Sequence, residues 1–218
     1  MSVYIHGGIR TPIGVLNGQY RIMRPEMLGA QLIDELIKRY DISQVDGIFC
    51  GNAVGTGGNI GRLMGLMTNL PNSVPAITVD MQCASALMSI EMAYTHIASG
   101  VMDSAIAGGI ESSSLQPDRI YAAGDDREGL YKVAQFSPQD CSPLAMLEGA
   151  ERTIQKHNVV KEDLYPYIIG SHKRASEALK NPHLKSYIMP ITIDGKACVD
   201  ECIRPKMNEK LLSRMKPL

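Results

Sequence analysis

The residue best suited by type and position to a chemical role is Cys83, in the stretch VDMQCASALMSI at residues 79–90. An apolar run precedes this cysteine and a helical pattern follows it, so Cys83 stands where a strand passes into a helix. The dipole and the unpaired N–H groups at a helix N-terminus favour a thiolate, and the neighbours Ala84, Ser85 and Ala86 are small enough to admit a substrate. Because cysteine is also among the most buried residue types, a nucleophile and an inert core residue both stay open at this point.

The other four cysteines have weaker claims to chemistry. Cys50 lies inside the apolar run GIFCGN, which predicts a core residue. Cys198 and Cys202 have the spacing CxxxC, but neither a second pair nor a flanking histidine completes a zinc-binding set, and Cys141 falls in a loop. We therefore expect no metal site.

Two glycine-containing stretches have both a structural and a functional interpretation. Residues 55–61, GTGGNIG, follow a strand, open a helix and precede Asp80. This arrangement resembles a dinucleotide-binding fingerprint. Their spacing is GxGxxxG and they follow the second strand, so a tight turn or a close backbone approach is the better interpretation. Glu111, in GGIESSS, fits either a hydrogen-bonding scaffold or a general base, and the scaffold is favoured.

The elements that must position these residues alternate along the first half of the chain. Residues 2–8 read as a first strand, and apolar residues recur at helical spacing from about 25 to 39. The pattern continues with a strand in VDGIFCGNAV, a helix in NIGRLMGLMTN, a strand in AITVDM, a helix over residues 84–99 that stops at Gly100, and a strand in DSAIAGGIESSS. Because parallel strands need helical crossovers, this order predicts an α/β fold with a mainly parallel sheet covered by helices.

The chain changes character from Gln116, where Pro, Gly and scattered charge replace the regular period. We interpret this part as an inserted loop-rich region. Helical spacing returns in AMLEGAERTIQKH and EDLYPYIIGSHKRASEALKN, and SYIMPITI reads as a strand near the end.

Composition disfavours several classes of partner. The 218 residues carry 22 Lys and Arg against 23 Asp and Glu, and a net charge of -1 gives no field that attracts nucleic acid or an anionic membrane. No apolar run approaches the length that spans a bilayer, and no secretory signal follows Met1. Five cysteines without a paired framework fit a reducing compartment, so we expect a cytoplasmic protein.

Five separated motifs together resemble the thiolase family in order and spacing. They are RTPIG at 10–14, GNAVGTGGNIGR at 51–62, VPAITVDMQCASAL at 74–87, AGGIES at 107–112 and SHKRASEA at 171–178. The resemblance runs from about residue 3 to residue 218. It implies that Cys83 is the nucleophile that accepts an acyl group from acyl-coenzyme A.

The resemblance covers only the first of the two similar halves of a thiolase, without the last strand of that half. It implies a thiolase N-terminal α/β core at 1–117, a loop subdomain at 118–197, and at 198–218 a segment leading toward a C-terminal half. The family's Gly-His-Pro stretch and second cysteine, which supply a base and a proton shuttle, belong to that half. Of the His-Met pair that lines the family's pantetheine channel, only Met146 can be carried over. Ala86 replaces a usual glycine and adds a methyl group beside the nucleophile.

The resemblance thus implies a transferase of lipid metabolism that uses coenzyme A or acyl-coenzyme A as substrate, with no tightly bound cofactor. A homodimer, or a complementary C-terminal thiolase half, is the expected protein partner. Two other hypotheses stay open: a non-catalytic thiolase-like protein that binds coenzyme A or a partner, and a dinucleotide-binding protein that uses residues 55–61.

Overall fold

The computed structural model describes residues 2–55, 57–131, 134–135, 138, 142 and 144–216. Cys141, predicted to lie in a loop, is outside the described residues. The chain divides into two compact units: Met1–Pro117 with Ser186–Cys202, and Asp118–Lys185 with Ile203–Leu218. Residues 186–202 thus belong to the first unit, although they follow most of the second unit in the sequence. The division into 1–117, 118–197 and 198–218 stays a prediction.

The first unit is built on a parallel sheet of three strands, as the alternating pattern predicts. These are β1 (Gly47–Gly51), β2 (Ala76–Val79) and β3 (Ala105–Gly109), in the order β2-β1-β3. Cys50 of β1 pairs with Thr78 on one side and with Gly108 on the other, so the carboxyl ends of the strands meet at one edge.

Three helices cover the two faces of this sheet: α1 (Pro25–Arg39), α2 (Ile60–Leu66) and α3 (Ser85–Ala98). Side chains alternate along a strand, so Ile48 and Cys50 face α1 and α2, whereas Phe49 faces α3 and its ring lies 5.0 Å from that of His96. The core on the first face is formed by Ala30, Ile33, Val45, Ile48, Cys50, Ile60, Met64, Val74 and Ala76.

The predicted first strand at residues 2–8 is wrong. No strand forms before the single bridge that Arg10 makes with Ile188, and Tyr4 and Ile5 are 85% and 91% exposed. A strand exists only where a neighbour supplies matching N–H and C=O groups, and no neighbour pairs with this segment among the described residues. The segment has the apolar pattern of a strand, but no neighbouring strand pairs with it in the described part of the chain.

The RTPIG loop is held by the segment that returns at residue 186. Arg10 donates two hydrogen bonds of 2.8 Å to the carboxylate of Asp200, and the Ile13 N–H donates to the same carboxylate. Glu201 accepts from the N–H groups of Val15 and Gln19. The returning segment, with α6 (Pro182–Ser186) before it, carries the short hairpin β6 (Thr192–Ile193) and β7 (Lys196–Ala197). SYIMPITI therefore forms only this short strand and the bridge at Ile188.

The second unit combines a hairpin, whose two strands have two residues each, with helices. The hairpin pairs β4 (Arg119–Ile120) with β5 (Leu130–Tyr131), and the helices are α4 (Ala145–Lys156), α5 (Tyr165–Ala178) and α7 (Glu209–Leu212). Both predicted helices are therefore formed. No helix in the described part of the chain is long and apolar enough to cross a membrane.

Candidate active site

Cys83 is exposed in a tight turn between β2 and α3, two residues before the helix begins. Gln82, immediately before it, has a positive φ of 53°, a conformation that non-glycine residues adopt at a cost. The hydroxyl of Ser85 holds the turn closed, since it accepts from the Met81 N–H at 2.8 Å and donates to the Gln82 carbonyl at 2.6 Å. The backbone thus presents the thiol to solvent at the carboxyl edge of the sheet.

The first turn of α3 lies against the ends of two strands. A Cβ on Gly51 would stand 2.5 Å from the carbonyl carbon of Ser85 and 2.6 Å from the nitrogen of Ala86. A Cβ on Gly109 would stand 3.1 Å from the Cβ of Ala86. Glycine at 51 is therefore required for the helix to approach, and this approach fixes the position of the turn that carries Cys83.

Glu111 organises the loop that follows β1. Its carboxylate accepts hydrogen bonds from the side-chain amide of Asn52 at 3.0 Å and from the N–H groups of Ala53 and Val54 at 2.8 and 3.0 Å. Asn52 also donates to the Ile110 carbonyl, which joins the ends of β1 and β3. The scaffold interpretation of Glu111 accounts for these contacts. Asn52 was not singled out by sequence reasoning, although its place directly after a buried strand was a usable signal.

Within the glycine-rich stretch, residues 57–61 form a bend and a close approach between α2 and the sheet. Gly57 and Gly58 have φ values of 78° and 71°, and a Cβ on Gly61 would lie 3.0 Å from the Ile77 carbonyl oxygen. The Gly61 N–H donates to the hydroxyl of Thr78, and the side chain of Asn59 accepts from the Arg62 N–H. Because these N–H groups at the start of α2 are already bonded, the structural interpretation of the glycines is the one that the geometry supports.

Three other cysteines lie in the part of the chain that the structure describes. Cys50 is 2% exposed, and burial raises the pKa of its thiol to about 11, which makes it a core residue as predicted. Cys202 is exposed and Cys198 is half-buried. Within the described residues no group of three metal-ligating side chains occurs.

Three histidine side chains form hydrogen bonds with backbone groups. His6 bonds the Tyr40 carbonyl, His96 bonds the Met92 carbonyl within its own helix, and His172 accepts from the Arg204 N–H at 3.2 Å. Met146 lies in the first turn of α4 in the second unit and is 76% exposed. Its assignment to a coenzyme A channel stays a prediction.

Comparison with known proteins identifies the family. The family profile described as thiolase, N-terminal domain, matches residues 3–218. The chain belongs to the thiolase family. VraB of Staphylococcus aureus, which carries the name of an acetyl-CoA C-acetyltransferase, is 33% identical over 216 residues, and its counterpart in Staphylococcus haemolyticus is also 33% identical. The match covers 96% of this thiolase chain but only 57% and 56% of those relatives.

The fold agrees with a solved thiolase-family structure. The crystal structure of the Bacillus anthracis acetyl-CoA acetyltransferase superposes with a TM-score of 0.84 at 24% identity, over 98% of this chain and 58% of that one. The predicted fold class is therefore confirmed, and this thiolase chain spans little more than half the length of its relatives.

Proposed function

We propose that this chain is the nucleophile-bearing part of a thiolase-type acyltransferase, an acetyl-CoA C-acyltransferase, and that Cys83 accepts the acyl group. The observation that carries the proposal is the strained turn at the carboxyl edge of the sheet, where Cys83 is exposed and Ser85 fixes the backbone. Ligands of parallel α/β sheets bind at this edge. Membership of the thiolase family supports the same assignment.

The chemistry proceeds in two acyl transfers. The Cys83 thiolate attacks the thioester carbonyl carbon of acyl-coenzyme A, the bond to the coenzyme A sulfur breaks, and that sulfur leaves with the electron pair and takes up a proton. The acyl group then passes from Cys83 to free coenzyme A, or to the carbanion of an acetyl-coenzyme A. Each transfer moves a proton, which requires acid and base groups besides the nucleophile.

Coenzyme A is therefore proposed as a substrate and not as a resident cofactor, with Met146 on α4 as a contact for its pantetheine arm. The working protein is proposed to be a cytoplasmic enzyme of lipid metabolism. For assembly we propose a homodimer that pairs through the outer edge of β2, where Ile77 is 42% exposed. Light scattering tests this assembly, and a species that stays at 23.8 kDa at high concentration would contradict it.

Mass spectrometry after incubation with acetyl-coenzyme A tests the nucleophile. We expect one acetyl group on the peptide that contains Cys83, and none in a Cys83→Ala variant that remains folded. The matched control is Cys50→Ser, which changes a buried cysteine and should leave acetylation in place. Acetylation of any other cysteine, or of none, would refute the assignment.

The second candidate is a thiolase-like protein that binds coenzyme A or a partner without catalysis. It is favoured by the 57% coverage of the relatives, since the matched part need not contain every group for turnover. Calorimetric binding of coenzyme A without any acyl-enzyme would select this candidate.

A further inference from the structure

One asparagine joins the ends of the three strands in the first unit. Asn52 directly follows β1, and its N–H donates to the carbonyl of Val79, the last residue of β2, at 3.0 Å. Its side-chain amide donates to the carbonyl of Ile110, directly after β3, at 2.8 Å. Asn52 therefore connects the exits of β2, β1 and β3 at the carboxyl edge of the sheet.

Glu111 fixes the orientation of this asparagine. Its Oε1 accepts from the side-chain amide of Asn52 at 3.0 Å, and its Oε2 accepts from the consecutive N–H groups of Ala53 and Val54 at 2.8 and 3.0 Å. An ionised carboxylate is purely an acceptor, so both of its oxygens suit these donors. Because hydrogen bonds to a charged acceptor are stronger than those to a neutral one, Glu111 holds both the Asn52 side chain and the loop after β1.

Residues 51 and 52 support the turn that carries Cys83 at both of its ends. Val79, which accepts from Asn52, lies four residues before Cys83 in the chain. Gly51 lies against the start of α3, where a Cβ on it would stand 2.5 Å from the carbonyl carbon of Ser85. A displacement of residues 51–52 therefore acts on the turn from the strand before it and from the helix after it.

We infer that Glu111, acting through Asn52, is the positioning residue of the Cys83 turn and thereby of acyl transfer. For the reaction the inference rests on the proposed function of Cys83, whereas the link between Glu111 and the turn does not depend on that function. Glu111 is a positioning residue and not a general base in this arrangement, because its two oxygens are directed at the donors of residues 52–54.

Positioning matters more for acylation of Cys83 than for its alkylation. The thioester carbonyl carbon of acetyl-coenzyme A must approach the thiolate at a defined distance and angle, and a misplacement of about 1 Å can lower such a rate roughly a hundredfold. Iodoacetamide is small and reaches an exposed thiolate from many directions, so its rate follows exposure and thiolate fraction. The ratio of the two rates at Cys83 therefore separates geometry from exposure.

Glu111→Gln tests the inference at nearly constant side-chain size. The glutamine amide presents N–H donors where one carboxylate oxygen accepted, so at least one donor of residues 52–54 loses its acceptor. Mass spectrometry of timed mixtures should show acetylation of Cys83 by acetyl-coenzyme A slowed at least about tenfold, with iodoacetamide alkylation changed less than about twofold. Asn52→Ala should give the same pattern, and the double variant should add little because both residues act as one unit.

The matched control is Asp34→Asn. Asp34 on α1 holds Asn69 in a similar way, since it accepts from the N–H of Asn69 at 2.9 Å and from its side-chain amide at 3.0 Å. This variant removes the charge from a comparable carboxylate–asparagine pair. It should leave the ratio of acetylation to alkylation at Cys83 unchanged.

The control pair lies at the other edge of the sheet. Gly61 of α2 approaches Cys50, whereas Gly65 approaches Ile48, so α2 runs toward the amino edge and Asn69 follows its end. Cys50 itself reports on folding, because it is 2% exposed and lies two residues before Asn52. Alkylation of Cys50 in any variant would show that the sheet has opened.

Amide hydrogen exchange separates failure of the inference from failure of the proposed function. In the turn, the N–H of Ala84 donates to the Met81 carbonyl and that of Ser85 donates to the Gln82 carbonyl. Glu111→Gln should speed exchange at both amides at least about fivefold, and Asp34→Asn should not. If the unaltered chain accepts no acetyl group but these amides respond to Glu111→Gln, the proposed function fails and the positioning role stands.

Unchanged acetylation together with unchanged exchange at Ala84 and Ser85 in Glu111→Gln would overturn the inference. Equal effects of Glu111→Gln and Asp34→Asn would also overturn it, because they would reduce Glu111 to general stability. If Cys50 is alkylated in Glu111→Gln, Glu111→Asp takes its place, since it keeps both acceptor oxygens and shortens the side chain by one methylene. Slower acetylation of Cys83 without alkylation of Cys50 in that variant would support the inference, and an unchanged rate would refute it.

Discussion

Gly51 is a position where a small change should strongly disturb the turn that carries Cys83. Gly51→Ala places a Cβ 2.5 Å from the backbone of Ser85, and real Cβ contacts essentially never fall below 3.0 Å. The two nearest atoms, the carbonyl carbon of Ser85 and the nitrogen of Ala86, belong to the backbone and not to a flexible side chain. The first turn of α3 must therefore shift by roughly 0.5 Å. Overpacking of this kind costs about 1–3 kcal/mol. For a chain of this size each kcal/mol lowers Tm by about 2–4 °C.

Gly108→Ala is the matched control. Gly108 lies in the neighbouring strand, and a Cβ built on it meets nothing within 4 Å. Thermal unfolding followed by circular dichroism should show a lower Tm for Gly51→Ala and an unchanged or slightly higher Tm for Gly108→Ala, since alanine reduces the entropy of the unfolded chain. Equal destabilisation of both variants, or none at Gly51, would refute the argument that α3 is held by this contact.

Three further predictions concern the thiol, the loop clamp and turnover. Brief iodoacetamide treatment followed by peptide mapping should label Cys83 before Cys50, because Cys83 is exposed whereas Cys50 is buried and its thiol has a raised pKa. Earlier labelling of Cys50 would contradict the assignment of Cys83 as the reactive thiol. The hydrogen bonds from Arg10 hold the pKa of Asp200 below its usual value, so the stability that Asp200 contributes is complete above about pH 4 and is lost as pH falls through the lowered pKa. Asp200→Asn should lower the free energy of unfolding by about 1–2 kcal/mol at pH 7, and urea titrations should show this difference vanish in acid; a difference independent of pH would count against the ion pair. The chain alone should cleave acetoacetyl-coenzyme A below detection, because the proposed function takes two acid–base groups from outside these residues and each contributes about 10²–10⁴ in rate. Robust cleavage would point to a local base, with His172 the first residue to replace.

Sequence patterns predicted the helices well because helix formation depends on contacts within the segment itself. The expected helix at 25–39 matches α1, and the stop at Gly100 has the positive φ of 75° that a helix end favours. The turn at Cys83 was also predictable, because it needed only the junction between an apolar run and a helical period.

Strand pairing was less predictable because it depends on residues far away in the chain. Residues 2–8 have the composition of a strand, yet they pair with no strand in the described part of the chain. The clamp of Asp200 and Glu201 on the RTPIG loop joins positions nearly 190 residues apart, and no local period announces such contacts. The role of Gly51 was hidden for the same reason, since only the packed structure brings Ser85 against it.

These differences bear on the proposed acyl transfer, because presentation of the Cys83 thiol and turnover depend on different groups. Presentation of the thiol needs Gly51, Ser85 and the strained backbone at Gln82, all of which lie in one compact unit of this chain. Turnover also needs acid and base groups, because each acyl transfer moves a proton. Nucleophilic attack and turnover should therefore respond to different changes: alteration of the Cys83 turn should abolish acylation, whereas removal of an acid–base group should leave acylation possible and slow turnover by about 10²–10⁴.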